Sequence, residues 1–499
     1  MFVGRVKELK LLNEIKSQNK SRLIVLSGRR RIGKSRLIEE FSKQFDIFLE
    51  FQGLAPNQNK IRDEDRNTKD QLLNFQQQFY LHSKLKLKST TENKNKNNSF
   101  DHWLNAFSEV NNYLTKYSKK SKLLFLDEIS WMAHGDPLFP GKLKIAWDTM
   151  FKKQANLIVV LCGSVSSWIQ DNILMNKDFV GRISSQIHLN ELNIQECSDF
   201  WFQQHKSFRK NLGITKEEII KTVAVVGGVP RYLEEINPKL TFEANIQRIC
   251  FSQEGMLVHE YEKIFHEIFN TKSKLYKLVL QTIAMRNYSA SQIANHLNVP
   301  ANGILFNCLR ELELAGFIKR DFSWKLNNKT PAKQSHFRLK DNYVRFYLKY
   351  IEPIRSQILN GTKSISSLSE LHQWPSVLGF QFENIVLNNI PEILQTLNIN
   401  QQEISLMGPY FQNSTQTQQG VQIDLLIQDR FNGLYLFEIK CKNKIGCEVI
   451  KEVQEKIKKL KRPKGMSIRP GLIYLGELSE DLIHDDFFSY KVDFTSLIK

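Results

Sequence analysis

Cysteine is scarce and scattered. The six residues, at 162, 197, 250, 308, 441 and 447, form no CxxC pair, and the histidines near them show no zinc-ligand spacing. A disulfide framework and a Cys/His zinc site are set aside, and reduced, mostly buried thiols in a cytoplasmic protein are expected. Long apolar runs are also missing. Nothing approaches the roughly 20 residues of a membrane span, and "LIVVLCG" (157–163) has the length of a buried strand. The opening "MFVGRVKELK" carries charge where a signal peptide would have an apolar core, so no secretory leader is expected. No internal repeat is evident. Acid is in deficit: 52 Asp and Glu stand against 70 Lys and Arg, a net charge of +18. Such basicity favours a nucleic-acid partner, DNA ahead of RNA. An AT-biased genome yields the same Lys-rich composition, and both readings stand.

What is present begins with "LIVLSGRRRIGKSRLIEEF" (23–41): an apolar strand, a glycine-bounded loop and an amphipathic helix. Gly28 to Ser35 fits GxxxxGK[ST] at every fixed position, the pattern of a phosphate-binding loop for ATP. Such a loop aims backbone N–H groups into a concavity at a helix N-terminus. Gly28 and Gly33 permit the close approach, and Arg31, Ile32 and Arg36 share the loop and the first helical turn. Lys34 would reach the β- and γ-phosphates, and Ser35 would ligate Mg²⁺.

Nucleotide chemistry needs a second acidic element, and "LLFLDEISWM" supplies it. A buried strand would place Asp127 at its C-terminal end, where ligands bind in open α/β sheets. Asp127 is expected to hold Mg²⁺ through water, and Glu128 to polarise the attacking water. A third strand ends "LCGSVSSW", putting Ser164 and Ser166 where a hydroxyl could sense the γ-phosphate or simply form a turn. Arg182 in "FVGRISSQ" could offer a guanidinium to the phosphates or be a surface residue of a lid. Arg231 could reach the nucleotide from "VVGGVPRYLEE".

Strands alternating with helices predict an α/β fold with a parallel sheet. The expected order is a P-loop core at 1–170, a helical lid at 171–255, an all-α winged-helix region at 256–330, a helical linker at 331–370 and an α/β domain at 371–499. Residues 83–100, "SKLKLKSTTENKNKNNSF", are too poor in apolar residues to pack and read as a mobile insertion.

In the last region "QIDLLIQD" (422–429) and "LYLFEIKCK" (434–442) are expected strands, and "EVIKEVQEKIKKLKR" (448–462) a helix. Glu438 and Lys440 lie two apart and so share a strand face. A neighbouring strand could bring Asp424 beside them. Asp424 and Glu438 could hold Mg²⁺, with Lys440 orienting water and stabilising phosphorane charge. Glu383 could add a carboxylate from an upstream helix, and Gln454 a supporting contact. A solvated Glu-x-Lys pair is the plain alternative, but Glu438 sits in an apolar run where an unpaired charge is costly. The Lys-rich stretch 456–464 could meet phosphates.

Taken in order, "FVGRVKEL", the P-loop, "FLDEISWM", "LCGSVSS", "GR" and "GGVPRYL" resemble the archaeal and bacterial P-loop ATPases of the AAA+/STAND branch. The resemblance covers about residues 1–240. It implies that Asp127 is the Mg²⁺-site aspartate, that Glu128 is the catalytic glutamate, and that Gly228 and Pro230 approach the base. The C-terminal half resembles the tail that accompanies these ATPases: a winged helix at 286–325, the aromatic segment "RLKDNYVRFYLKYIEP", and a PD-(D/E)xK nuclease-type fold carrying "GFQFENIV", "QIDLLI" and "LFEIKCK". ATP, Mg²⁺, nucleic acid and an oligomer follow as expectations. No membrane partner is expected.

Overall fold

The computed structural model describes residues 2–55, 64–83, 100–164, 167–202, 213–269, 273–363, 365, 367–416 and 418–499. Residues 84–99 of the expected insertion and Ser166 lie outside that set. Two compact units result, one over 4–190 and one over 191–499. Among the described residues no helix is long and apolar enough to cross a membrane.

The first unit is built on a five-stranded sheet of β1 (Arg22–Gly28), β2 (Ile47–Gln52), β3 (Lys122–Asp127), β4 (Leu157–Ser164) and β5 (Ile183–Leu189). Its order is β2-β3-β4-β1-β5, with every pair parallel. Parallel strands covered on both faces read as continuous apolar runs. Here alternate residues enter two cores. Val25, Leu124, Leu126 and Val159 join one, and Ile24, Leu26, Phe125 and Val160 join the other. The expected boundary at 170 falls too early, because β5 belongs to this sheet through β1. Its sequence "ISSQIHL" alternates polar and apolar residues, as suits an edge strand with one neighbour.

The second unit opens with helices. Lys216–Val226 starts from a capping box in which Thr215 accepts from Glu218 N and the Glu218 carboxylate accepts from Thr215 N. Farther along come the helices Ser273–Ile283, Ala290–Leu297 and Gly303–Leu314. They lead into an antiparallel hairpin of β6 (Ile318–Lys325) and β7 (Thr330–Leu339), with Tyr288 bridging to Phe337. The region expected to be all-α is therefore mixed, and β7 enters the stretch expected as a helical linker.

Residues 374–499 complete a second sheet: β8 (Ile404–Gln412), β9 (Val421–Asp429), β10 (Gly433–Ile445), β11 (Ser467–Leu478) and β12 (Tyr490–Asp493), in the order β12-β11-β10-β9-β8. The first two pairings, β8–β9 and β9–β10, are antiparallel, while β10–β11 and β11–β12 are parallel. One face, with Leu425, Ile427, Phe437 and Ile473, shares a core with Phe382 and Ile385 of the helix Trp374–Asn388. The other, with Ile423, Leu426, Leu434 and Leu436, packs against Val449 and Val453 of the helix Glu448–Lys459.

Candidate functional sites

In the first unit β1 ends at Gly28 and the helix Lys34–Ser42 begins after Gly33. A Cβ at Gly28 would lie 2.8 Å from Leu189 O and 3.1 Å from Ile32 Cγ2, so no larger residue fits without displacing β5. Gly33 holds φ at +89°, in the left-handed region that favours glycine. The first N–H groups of the helix that follows have no intrahelical partner and form an anion site. Lys34 is only 7% exposed, and its Nζ donates to the carbonyls of Gly28 (3.0 Å) and Arg29 (3.1 Å). Its ammonium is thus held inside the loop.

Asp127 lies at the end of β3, two strands away from β1. Ser35 Oγ nevertheless donates to Asp127 Oδ2 at 2.7 Å, while Asp127 Oδ1 accepts from Glu128 N at 2.9 Å. A hydroxyl and a carboxylate in contact are the hard oxygen donors that Mg²⁺ takes beside phosphate. Glu128 stands at φ +48°, ψ +50°, a strained conformation for a residue with a side chain. Ser164 Oγ, from the intervening β4, donates to Glu128 Oε2 at 3.3 Å. The sheet order explains the meeting, because β4 lies between the other two strands. Arg36 instead pairs with Glu39 on the exposed helix face. Arg182 is clasped by Asp148, with Nε 2.8 Å from Oδ1 and Nη2 2.9 Å from Oδ2.

Three supports were not singled out by sequence reasoning. Arg5 is buried and donates from Nη2 to Ile32 O at 2.8 Å, tying the N-terminal segment to the P-loop. The Arg30 guanidinium lies 5.0 Å from the centre of the Trp131 ring. Gly53 passes so close that a Cβ would meet Glu128 O at 2.7 Å. Only Arg5 left a signal, inside "FVGR".

Gly228 and Pro230 belong to the second unit. Gly228 O accepts from Leu192 N at 2.8 Å, and a Cβ there would collide with Leu192 O. Pro230 opens the short helix Pro230–Leu233, and Arg231 pairs with Glu234 and Glu235. Packing within this unit already calls for the glycine.

The β9–β10 ladder runs only as far as the Leu425–Phe437 pair. Beyond it Asp424 Oδ2 accepts from Ile439 N at 2.9 Å, so a side chain replaces a strand partner. That bond sets Asp424 beside Glu438, which is 3% exposed. Lys440 Nζ lies 3.0 Å from Glu438 Oε1 and 2.5 Å from Glu452 Oε2. Lys456, from the helix Glu448–Lys459, reaches Glu438 Oε2 at 2.6 Å and Asp424 Oδ1 at 3.7 Å. Gln454, the expected supporting residue, is exposed; Glu452 and Lys456, two positions either side, make the contacts. Burial, reinforced by the Glu438 carboxylate, pushes Asp424 well above the usual carboxylate range. Burial and then the Asp424 carboxylate do the same to Glu383 on the helix Trp374–Asn388. Among the described residues no group of three or more His, Cys, Asp or Glu could hold a metal ion. The Asp424–Glu438 pair does hold a cation, the Lys456 ammonium, and its oxygens are the donor type that hard divalent ions prefer.

A parallel sheet, a glycine loop that encloses its lysine and a serine bonded to a strand-end aspartate define a P-loop ATPase. Residues 2–236 match the model of a family described as an ATPase domain predominantly from Archaea. Over 395 residues the chain is 24% identical to an uncharacterized protein of Methanocaldococcus jannaschii, covering 79% of this chain and 78% of that one. A 41-residue stretch is 51% identical to an uncharacterized ATP-binding protein of the same organism, covering 8% of this chain and 70% of that one. A solved Walker-type ATPase of Pyrococcus abyssi is similar at 19% identity and a TM-score of 0.46, covering 70% of this chain and 96% of that one.

Proposed function

We propose that the chain is a Mg²⁺-dependent ATP-driven switch or motor whose C-terminal domain cleaves nucleic acid, DNA in preference to RNA. The observation that carries this reading is the convergence of Asp424, Glu438 and Lys440 where the β9–β10 ladder opens. Ser35 and Asp127 would hold Mg²⁺ beside the ATP phosphates, Lys34 would neutralise phosphate charge, and Glu128 would orient the attacking water with Ser164 steadying its carboxylate. In the tail, Asp424 and Glu438 would hold a second Mg²⁺, which would supply Lewis-acid help to phosphodiester hydrolysis. Lys440 would orient the attacking water and face the charge that builds on the phosphorus. The helices at 273–314 with the β6–β7 hairpin are read as a winged helix, 374–499 as a PD-(D/E)xK-type domain, and Gly228 with Pro230 as the lid turn near the base. The protein is read as cytoplasmic and able to form oligomers.

A second reading keeps the ATPase and makes the tail a binding or regulatory module without cleavage. Lys456 favours it, because an ammonium already neutralises the two carboxylates. The test is incubation of the purified chain with plasmid, single-stranded DNA and RNA across Mg²⁺ and Mn²⁺, with and without ATP. Cleavage lost in both Asp424→Ala and Glu438→Ala supports the first reading. No cleavage of any substrate, with no metal bound at the tail by calorimetry, leaves the second.

A further inference from the structure

Within the second unit the β6–β7 hairpin does not project freely. Ser323 Oγ donates to Phe411 O at 2.6 Å, and Trp324 Nε1 to Gln428 Oε1 at 2.9 Å. Gln428 Nε2 returns a bond to Leu326 O at 2.8 Å. Trp324 and Leu326 lie in the same core as Ile423, Leu434 and Val453. A hairpin fixed in this way onto β8 and β9 is not available to swing into a groove of DNA as a wing.

Where the hairpin meets β8 there is a cleft of 610 Å³, within the range of small-ligand sites. Trp324 and Tyr410, ring centres 5.2 Å apart and edge to face, line its apolar side. Gln334, Asn413 and Gln418 bring carboxamides. Lys325 comes from the hairpin, and Lys461 and Arg462 from the turn after the helix Glu448–Lys459; all three are exposed. No carboxylate occurs among the described residues that line it. The basic turn is anchored rather than loose: Gln412 Nε2 donates to Lys459 O and Gln412 Oε1 accepts from Lys461 N, both at 3.0 Å.

We propose that this cleft binds a nucleotide unit of a single nucleic-acid strand. The three cations would meet phosphate, and the carboxamides the polar edges of a base. The turn that supplies Lys461 and Arg462 follows the helix whose Lys456 reaches Asp424 and Glu438. The proposal rests on the nucleic-acid reading above and adds to it the place and the form, single-stranded, in which the substrate is held.

The experiment uses the full chain in EDTA, so that no strand is cut. Binding of a labelled oligothymidylate is followed by anisotropy, and a 4-thiothymidine version is photo-crosslinked and mapped. Lys461→Glu/Arg462→Glu should weaken binding about tenfold or more. Lys461→Arg/Arg462→Lys should restore it, and both variants should keep the parent's denaturant midpoint for loss of tail structure, which checks folding. Crosslinks should fall at 410–413 or 461–463. Wild-type binding that the charge reversal leaves unchanged, with crosslinks elsewhere, overturns the cleft and spares the nucleic-acid reading. Failure of the wild type to bind single-stranded DNA, RNA or duplex overturns both. Competition by thymidine monophosphate as strong, per nucleotide, as by the oligomer would make this a free-nucleotide site. Equal competition by polyglutamate would make it an acidic-peptide site. Either result overturns the strand.

Discussion

Lys456 lies closer to Glu438 than Lys440 does, at 2.6 Å against 3.0 Å. Glu438 and Lys440 are legible in the sequence because strand periodicity alone puts them on one face. Lys456 is not, because its helix carries lysines at 451, 456, 458 and 459 and only the docked phase of the helix selects among them. An ammonium held by two carboxylates competes with any divalent cation for them. Lys456→Gln should therefore tighten Mn²⁺ binding at the tail by about tenfold, read by calorimetry in a Lys34→Ala background. Unchanged affinity would show that the ammonium does not compete.

The same pair of sites gives a pH signature. Asp424 is raised from 3.8 to about 6 and Glu383 from 4.5 to about 7. Between about pH 4 and 7 the unfolded chain loses protons that the native chain keeps, so stability falls as pH rises through that window. The stabilisation is fully present below it and lost above it. The Asp424 part amounts to about 3 kcal/mol. Asp424→Asn should flatten the slope, measured as the difference from wild type in denaturant midpoints across the range. Parallel slopes would show that the native carboxylates titrate normally. At the nucleotide site Glu128→Gln should keep ATP binding and lose hydrolysis, since the amide cannot polarise water yet leaves the Ser35–Asp127 contact in place. Hydrolysis at the wild-type rate would remove Glu128 from its role.

Elements with two covered faces were the most legible. β1, β3 and β4 stand out as unbroken apolar runs, and the glycine loop and Asp-Glu end follow from them. β5 and β7 were missed for a physical reason. "ISSQIHL" and "TPAKQSHFRL" are largely polar, and each strand pairs with a single neighbouring strand, so neither carries the apolar run of a buried strand. The hairpin's importance is concentrated in Trp324, which is 5% exposed, stacks edge-on to Tyr410 and bonds Gln428. Trp324→Ala should cost about 3–5 kcal/mol of the second unit's stability, seen as a lower denaturant midpoint for loss of tail structure. The ATPase rate below that midpoint should be unchanged. A loss under 1 kcal/mol would mean that the hairpin is not held by this residue.

At the scale of the molecule the nucleotide-binding loop lies in residues 4–190 and the tail site in 191–499. An ATP-driven nuclease requires these units to communicate, and thermodynamics makes that requirement measurable in either direction. If bound ATP changes the tail's affinity for a strand by some factor, a bound strand must change the affinity for ATP by the same factor. Glu128→Gln is the suitable background, because it should hold ATP without consuming it, and EDTA is replaced by Ca²⁺ to limit cleavage. An oligonucleotide at saturation should shift the ATP dissociation constant about fivefold or more, and ATP should shift the oligonucleotide's constant equally. Lys34→Ala, which removes the charge aimed at the phosphates, should show the strand affinity of the nucleotide-free chain whether or not ATP is added. Equal constants in all four states would make the two units independent machines on one chain. The tail would then act on nucleic acid without reference to ATP, and the energy of hydrolysis would have to be spent on some partner other than the strand.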